Sequence, residues 1–303
     1  MKKKIVIGLQ LFLASGIFWS CETEIEFKSK TIEPKLVLNS LVSQDSILYC
    51  GLYQTAHAAY GDFQILPISN ALIVISENNQ PYDTLSYLSD GRYIGTKTAN
   101  LNNIYKFVAS VANFPQASAT TELLPNNEVL SVDSVGLRLN EYGSSNVILR
   151  ARMSFQPEMT SYYRLRAIGH SEWYDEYSDS VIVQDYTLYL PNDENLPGIE
   201  FYTWRDNTLY YSDKIRTSQE AIIEIPLESY FFESSSHLTR IDFYIEQLST
   251  DYFLYEKSRY LFDNGDDFAL FSQPVQIFNN IEGGVGILGT AKKFVFSMDL
   301  NRK

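Results

Sequence analysis

Cysteine, histidine and basic residues are all scarce in this chain. Two cysteines and three histidines in 303 residues leave no material for a disulfide framework or a histidine-rich metal cage. His57, His170 and His237 stand far apart, and none has a helical histidine partner of the kind a zinc motif needs. Lysine and arginine number 24 against 37 aspartate and glutamate, a net charge of −13. Three of the lysines fall within residues 1–20; without them 21 bases face 37 acids, and the charge is −16. Nucleic-acid binding rests on neutralising phosphates, so this balance excludes it as an expected partner. Beyond residue 20 no apolar run reaches the length of a membrane-spanning helix. The phosphate loop and the nucleophile elbow are missing too; Gly169-His170-Ser171-Glu172 has the wrong frame for the latter. Gly283-Gly284-Val285-Gly286 lacks the following helix and the βαβ frame of a dinucleotide site, and reads as tight backbone packing. There is no internal repeat or low-complexity stretch.

What is plentiful is apolar and aromatic surface. The chain is 45 % apolar and carries 22 tyrosines and 18 phenylalanines, enough for a real core and biased towards β-sheet.

The N-terminus reads as an address. Met1-Lys2-Lys3-Lys4 is followed by an apolar run from Ile5 to Trp19 and then Ser20-Cys21. A basic start and a short apolar segment make a secretory signal, here residues 1–20. The junction resembles that of a bacterial lipoprotein, in which the cysteine takes a diacylglycerol, so Cys21 is the expected lipid attachment. Phe18 and Trp19 depart from the strict pattern, and the plainer alternative is a secretory signal with a chance cysteine. Lipid on Cys21 would be the anchor to the outer membrane. Residues 21–34 form an acidic tether; Glu22, Glu24 and Glu26 resemble the acidic tag of surface-displayed lipoproteins. Cys50 then stands alone in an apolar strand pattern and is expected to be a buried structural thiol.

From Lys35 onward short strands alternate with turn residues. Residues 35–125 predict an immunoglobulin-like β-sandwich. Leu124-Pro125-Asn126-Asn127 is the expected boundary, and residues 126–303 predict a larger β domain. One packed α-helix is expected near 250–262, capped by Thr250, stopped by Gly265, and packed through Leu254 and Leu261. The expected fold class is mainly β: a sandwich followed by a β domain with one helix.

Three groups of side chains are candidate sites. Arg150 and Arg152 share one strand face, as do Arg164 and Arg166. A hairpin closing near Glu158 would set the pairs opposite each other, so acids must lie alongside, and Asp242 and Glu246 are available. This is either an ion ladder on a sheet or a patch for an anion or acidic partner. Trp173, Tyr174 and Tyr177 are expected in one loop, and Tyr202 and Trp204 in another, as a surface for a ligand or protein partner or as side chains folded over the core. Asp263, Asp266 and Asp267 form an oxygen cluster without the calcium-loop spacing; a helix-stop loop is the plainer reading, and no metal or cofactor is expected. Carboxylate pairs are too common in so acidic a chain to support or exclude a glycosidase.

The C-terminal run Pro274-Val275-Gln276-Ile277-Phe278-Asn279-Asn280-Ile281-Glu282-Gly283-Gly284-Val285-Gly286-Ile287-Leu288-Gly289 resembles the closing signature of a Bacteroidota lipoprotein family, domain of unknown function 4249. Further matches follow in order along the chain: Lys35-Leu36-Val37-Leu38-Asn39, Ser69-Asn70-Ala71-Leu72-Ile73-Val74, Gly91-Arg92-Tyr93, Tyr162-Tyr163-Arg164-Leu165 and Tyr211-Ser212-Asp213-Lys214. Asn102-Asn103 replaces a common turn glycine and Leu288 a common aromatic. The resemblance implies an outer-membrane lipoprotein, exposed at the cell surface, often encoded beside TonB-dependent receptors. The expected function is therefore a non-enzymatic accessory or binding protein for such a receptor and an unidentified ligand. A structural cell-surface protein and a carboxylate-dependent hydrolase are the alternatives.

Overall fold

Strict alternation of apolar and polar residues builds most of the chain into strands. The computed structural model describes residues 33–55, 66–123, 129–139, 145–154, 160–188, 190, 198–214, 220–228, 238–265 and 275–299. The strands in order are β1 (Leu36–Ser43), β2 (Ile47–Gln54), β3 (Leu66–Pro67), β4 (Leu72–Glu77), β5 (Gln80–Ser89), β6 (Arg92–Thr98), β7 (Asn103–Ser110) and β8 (Ala117–Leu123). They continue with β9 (Val129–Leu139), β10 (Ser145–Ser154), β11 (Tyr162–Asp175), β12 (Ser180–Leu188), β13 (Ile199–Thr203), β14 (Thr208–Ser212), β15 (Glu220–Glu228) and β16 (Leu238–Leu248). Helix α1 (Thr250–Asp263) and strand β17 (Val285–Asp299) follow. Among the described residues the chain is mainly β with one helix, as expected.

The strands fall into a 14-stranded mixed sheet and a three-stranded sheet of order β15-β10-β9. The main path runs β13-β14-β11-β16-β17-β1-β2-β6-β5-β4-β7-β8, with β12 on β11 and β3 on β2. Local chemistry sets the hairpins. Asn78 and Asn79 both take positive φ, which closes β4 onto β5 through a two-residue turn, with Glu77 opposite Gln80. In β1, Leu36, Leu38 and Val42 point to a core shared with Leu48, Cys50 and Leu52 of β2, Ile73 and Ile75 of β4, and Tyr105 and Phe107 of β7. Cys50 is fully buried and burial pushes its thiol up to about 12, which makes it an inert packing residue.

Strand β17 is the seam of the molecule. Its first half runs parallel to β1, from Val37 opposite Val285 to Ser43 opposite Ala291. Its second half runs antiparallel to β16, from Leu248 opposite Ala291 to Arg240 opposite Asp299. Ile281 and Leu288 complete the N-terminal core, so residues distant in sequence close it. Gly286 makes the close approach possible: its φ is +123°, and a Cβ there would lie 2.2 Å from the Leu38 carbonyl oxygen. Asn280 ties the same place together. Its amide donates to the Leu288 carbonyl and to Asp251 at the start of α1, and its Oδ1 accepts from the Leu288 N–H at 3.0 Å. The C-terminal signature is thus a structural knot between strand, helix and core.

Two expectations about α1 are corrected. Ser249, not Thr250, caps it: the Ser249 hydroxyl accepts from the N–H groups of Tyr252 and Thr290. The packed face is aromatic rather than the Leu254 and Leu261 stripe, both of which are exposed. Phe253 is buried against Phe201 and Tyr210 and stacks on Tyr162, with ring centroids 4.0 Å apart. Planar rings lie flat on a sheet and bury more area than leucine, so they won the contact.

Candidate functional site

Strand β11 outgrows its sheet. Its pairing with β16 ends at Ser171, while its pairing with β12 runs on unbroken to Asp175 opposite Ser180. Residues 171–184 therefore project as a two-stranded hairpin. On one face Tyr174 lies opposite Val181 and Glu172 opposite Val183. Tyr174, Val181 and Val183 are 57 %, 56 % and 70 % exposed, and Tyr177 at the turn is fully exposed. The other face carries Trp173 and Ile182, both half-buried.

The hairpin is stiffened at tip and root. At the tip the Tyr174 hydroxyl donates to Asp179, and Asp175 accepts from the Tyr177 N–H at 3.3 Å and the Ser178 hydroxyl at 2.7 Å. At the root the His170 ring spans three strands, with Nδ1 2.6 Å from Asp185 on β12 and Nε2 2.7 Å from Asp242 on β16. Arg240 closes on Asp242 with Nε at 3.0 Å. Burial opposes charge on Asp242, but Ser297, His170 and Arg240 outweigh it and hold the carboxyl below its usual range. Sequence spacing does not join these residues, because they lie on three separate strands.

The predicted aromatic loops are relocated. Trp173 and Tyr174 belong to β11 itself; only Tyr177 is in a turn (176–179). Tyr202 is a buried residue of β13 whose hydroxyl donates to Asn207. Trp204 is exposed in the β13–β14 turn and packs edge-on against Tyr202, 4.9 Å between centroids. Leu209 pairs with Leu165, which sets the Trp204 turn beside the hairpin root, whereas Tyr174 lies nine residues farther along β11, about 30 Å of strand.

The arginine hairpin does not form. Strand β10 lies between β9 and β15 in the small sheet, whereas β11 pairs with β16, β12 and β14. Arg150 takes a register position opposite Glu224 and Asp133, and Arg152 one opposite Ile222 and Ser131. Like charges would repel across a β10–β11 pair, and this topology avoids it. Arg164 and Arg166 share Glu246 of β16, with Nε and Nη2 respectively 2.7 and 3.2 Å from Oε2. Burial works against the Arg164 charge, but Glu246 more than offsets it, and the guanidinium is held more firmly protonated than usual. Nearby, Glu200 of β13 accepts from Lys257 of α1 at 2.7 Å, Lys214 at 3.0 Å and the Ser212 hydroxyl at 2.6 Å. Burial alone would raise the Glu200 carboxyl, but these donors bring it down to about 2. The Lys257–Glu200 pair fastens α1 to β13, whereas the Glu246 pairs join β11 to β16.

Asp263 is the last residue of α1, while Asp266, Asp267 and Cys21 lie outside the described residues. Among the described residues no three His, Cys, Asp or Glu side chains come together as a metal site. No helix among them is long and apolar enough to cross a membrane. A comparison with curated proteins gave no match. The model of the family described as domain of unknown function (DUF4249) matches residues 22–295, nearly the whole chain, and the protein belongs to that family.

Proposed function

We propose that this protein is a lipid-anchored, non-enzymatic binding protein that assists a TonB-dependent receptor at the outer membrane. Cys21 carries the lipid, the acidic tether holds the folded part off the bilayer, and the chain faces the cell exterior. The observation that carries the binding role is the stiff projecting hairpin with Tyr174, Tyr177, Val181 and Val183 held in water. Monomeric surfaces seldom gather exposed apolar side chains on a rigid projection unless a partner covers them. Buried Tyr202 is part of the scaffold, and Trp204 forms a secondary contact near the hairpin root.

The test is an affinity pull-down of the lipidated, full-length protein from outer membranes in mild detergent, read by mass spectrometry. A stoichiometric TonB-dependent receptor in the eluate supports the reading. Recovery of the protein alone, while control complexes stay intact, overturns it. Replacing Cys21 with serine is expected to abolish incorporation of a labelled fatty acid and release the protein from membranes.

A further inference from the structure

Among the described residues, strand β12 is a sheet edge without the usual protection. Natural edges are kept from pairing by brevity, proline, lysine, bulges or a covering segment. The other edges here use these devices. Strand β13 has five residues and a register shift against β14. Strand β9 is bulged against β10, and β15 contains Pro226. Strand β8 is covered, because Ser118 exchanges backbone hydrogen bonds with Glu282. By contrast, β12 is nine residues long, has no bulge against β11, and reads Ser-Val-Ile-Val-Gln-Asp-Tyr-Thr-Leu, with neither proline nor lysine. Among the described residues it pairs with β11 alone.

Charge says what can bind there. Residues 171–188 hold five acids, Glu172, Asp175, Glu176, Asp179 and Asp185, and no lysine or arginine. A second copy of the same hairpin would set five acids against five, which like-charge repulsion disfavours. An extended segment alternating apolar and basic residues would set its cations on the face that carries Glu172 and Asp185 and its apolar side chains on the opposite face, beside Ile182.

We propose that β12 is a docking edge to which a basic, extended segment of a partner protein adds as a further strand. This rests on the binding-protein reading above and names its mode. Backbone hydrogen bonds along the edge supply affinity, and the acids select the partner.

The test uses the full-length protein in detergent and a synthetic nine-residue peptide alternating lysine and valine, followed by fluorescence anisotropy. Saturable binding is expected, weakened about tenfold when salt rises from about 0.05 to 0.5 M. Two probe controls leave the protein untouched. A glutamate–valine peptide is expected not to bind, and a lysine–valine peptide N-methylated at alternate residues is expected to bind at least about tenfold more weakly. Hydrogen exchange is expected to slow at residues 180–188 when the unmodified peptide binds. The double variant Val181→Lys with Val183→Lys, on exposed positions, is expected to weaken binding by a similar factor. Equal binding of the N-methylated or glutamate peptide, absence of saturable binding, or dimerisation through the hairpin in sedimentation each overturns strand addition. The pull-down, repeated with the double variant, keeps the two readings apart. A receptor captured equally by both forms leaves the accessory role standing and removes the docking edge. A receptor captured by neither removes the accessory role, while the peptide result still decides the edge.

Discussion

The seam at β17 and the hairpin at β11–β12 are built from similar strand material and treat it in opposite ways. At the seam, backbones approach so closely that Gly286 has no room for a side chain, and Asn280 satisfies both backbone groups of Leu288. At the hairpin, two strands run out past the sheet and present valines and a tyrosine to water. One region spends its residues on fit and the other on availability. Substitutions should therefore separate stability from binding along this axis.

The largest effect is expected for Gly286→Val. It combines positive-φ strain with a clash on the Leu38 carbonyl, and a loss of about 3–5 kcal/mol in urea unfolding should follow. A change below about 1 kcal/mol would show that β1 and β17 can separate without cost. Phe253→Ala removes the ring stacked on Tyr162 and should lower stability by about 3–4 kcal/mol, read from the same midpoints. Asn280→Ala strips partners from the Leu288 backbone and should lose about 1–3 kcal/mol, with faster hydrogen exchange at Leu288.

Glu200 gives a pH signature. Its folded value, about 2, lies below its ordinary 4.5, so its contribution is present above pH 4.5 and fades as pH falls towards 2. Glu200→Gln should therefore lower Tm at pH 6 and change it little near pH 2; an equal drop at both would exclude the linkage. At the far end, Val183→Ser and Tyr174→Ala should each leave stability within about 0.5 kcal/mol. A large thermal penalty from either would mean that the hairpin is scaffold rather than contact surface.

Much of the fold was legible where a strand has one wet face. The apolar strand pattern around Cys50 predicts a buried thiol, and β2 holds it fully buried. The extended part of β11 escaped notice, since Glu172-Trp173-Tyr174-Asp175 mixes acids and aromatics as a loop does. The register of β17 was hidden for a different reason: strands buried on both faces lose their alternation, and Gly286 and Gly289 resemble a turn. The helix was located, but its packing face was misassigned, because leucine spacing says nothing about a stack of rings supplied by β11, β13 and β14. Site residues fared likewise. Arg164 and Glu246 announced themselves by charge, whereas the His170 clamp needed three strands to be placed first.

The parallel pairing of β1 with β17 also bears on when the protein can fold. Asn39 accepts from the Ile287 N–H across 248 residues of chain, so the N-terminal core lacks one wall until residues 281–291 have been made. Contacts of such long range are slow to close. A ribosome-bound chain therefore holds its first strands without their closing partner. The N-terminal half should stay pliable during synthesis and become compact only after β17 has left the ribosome.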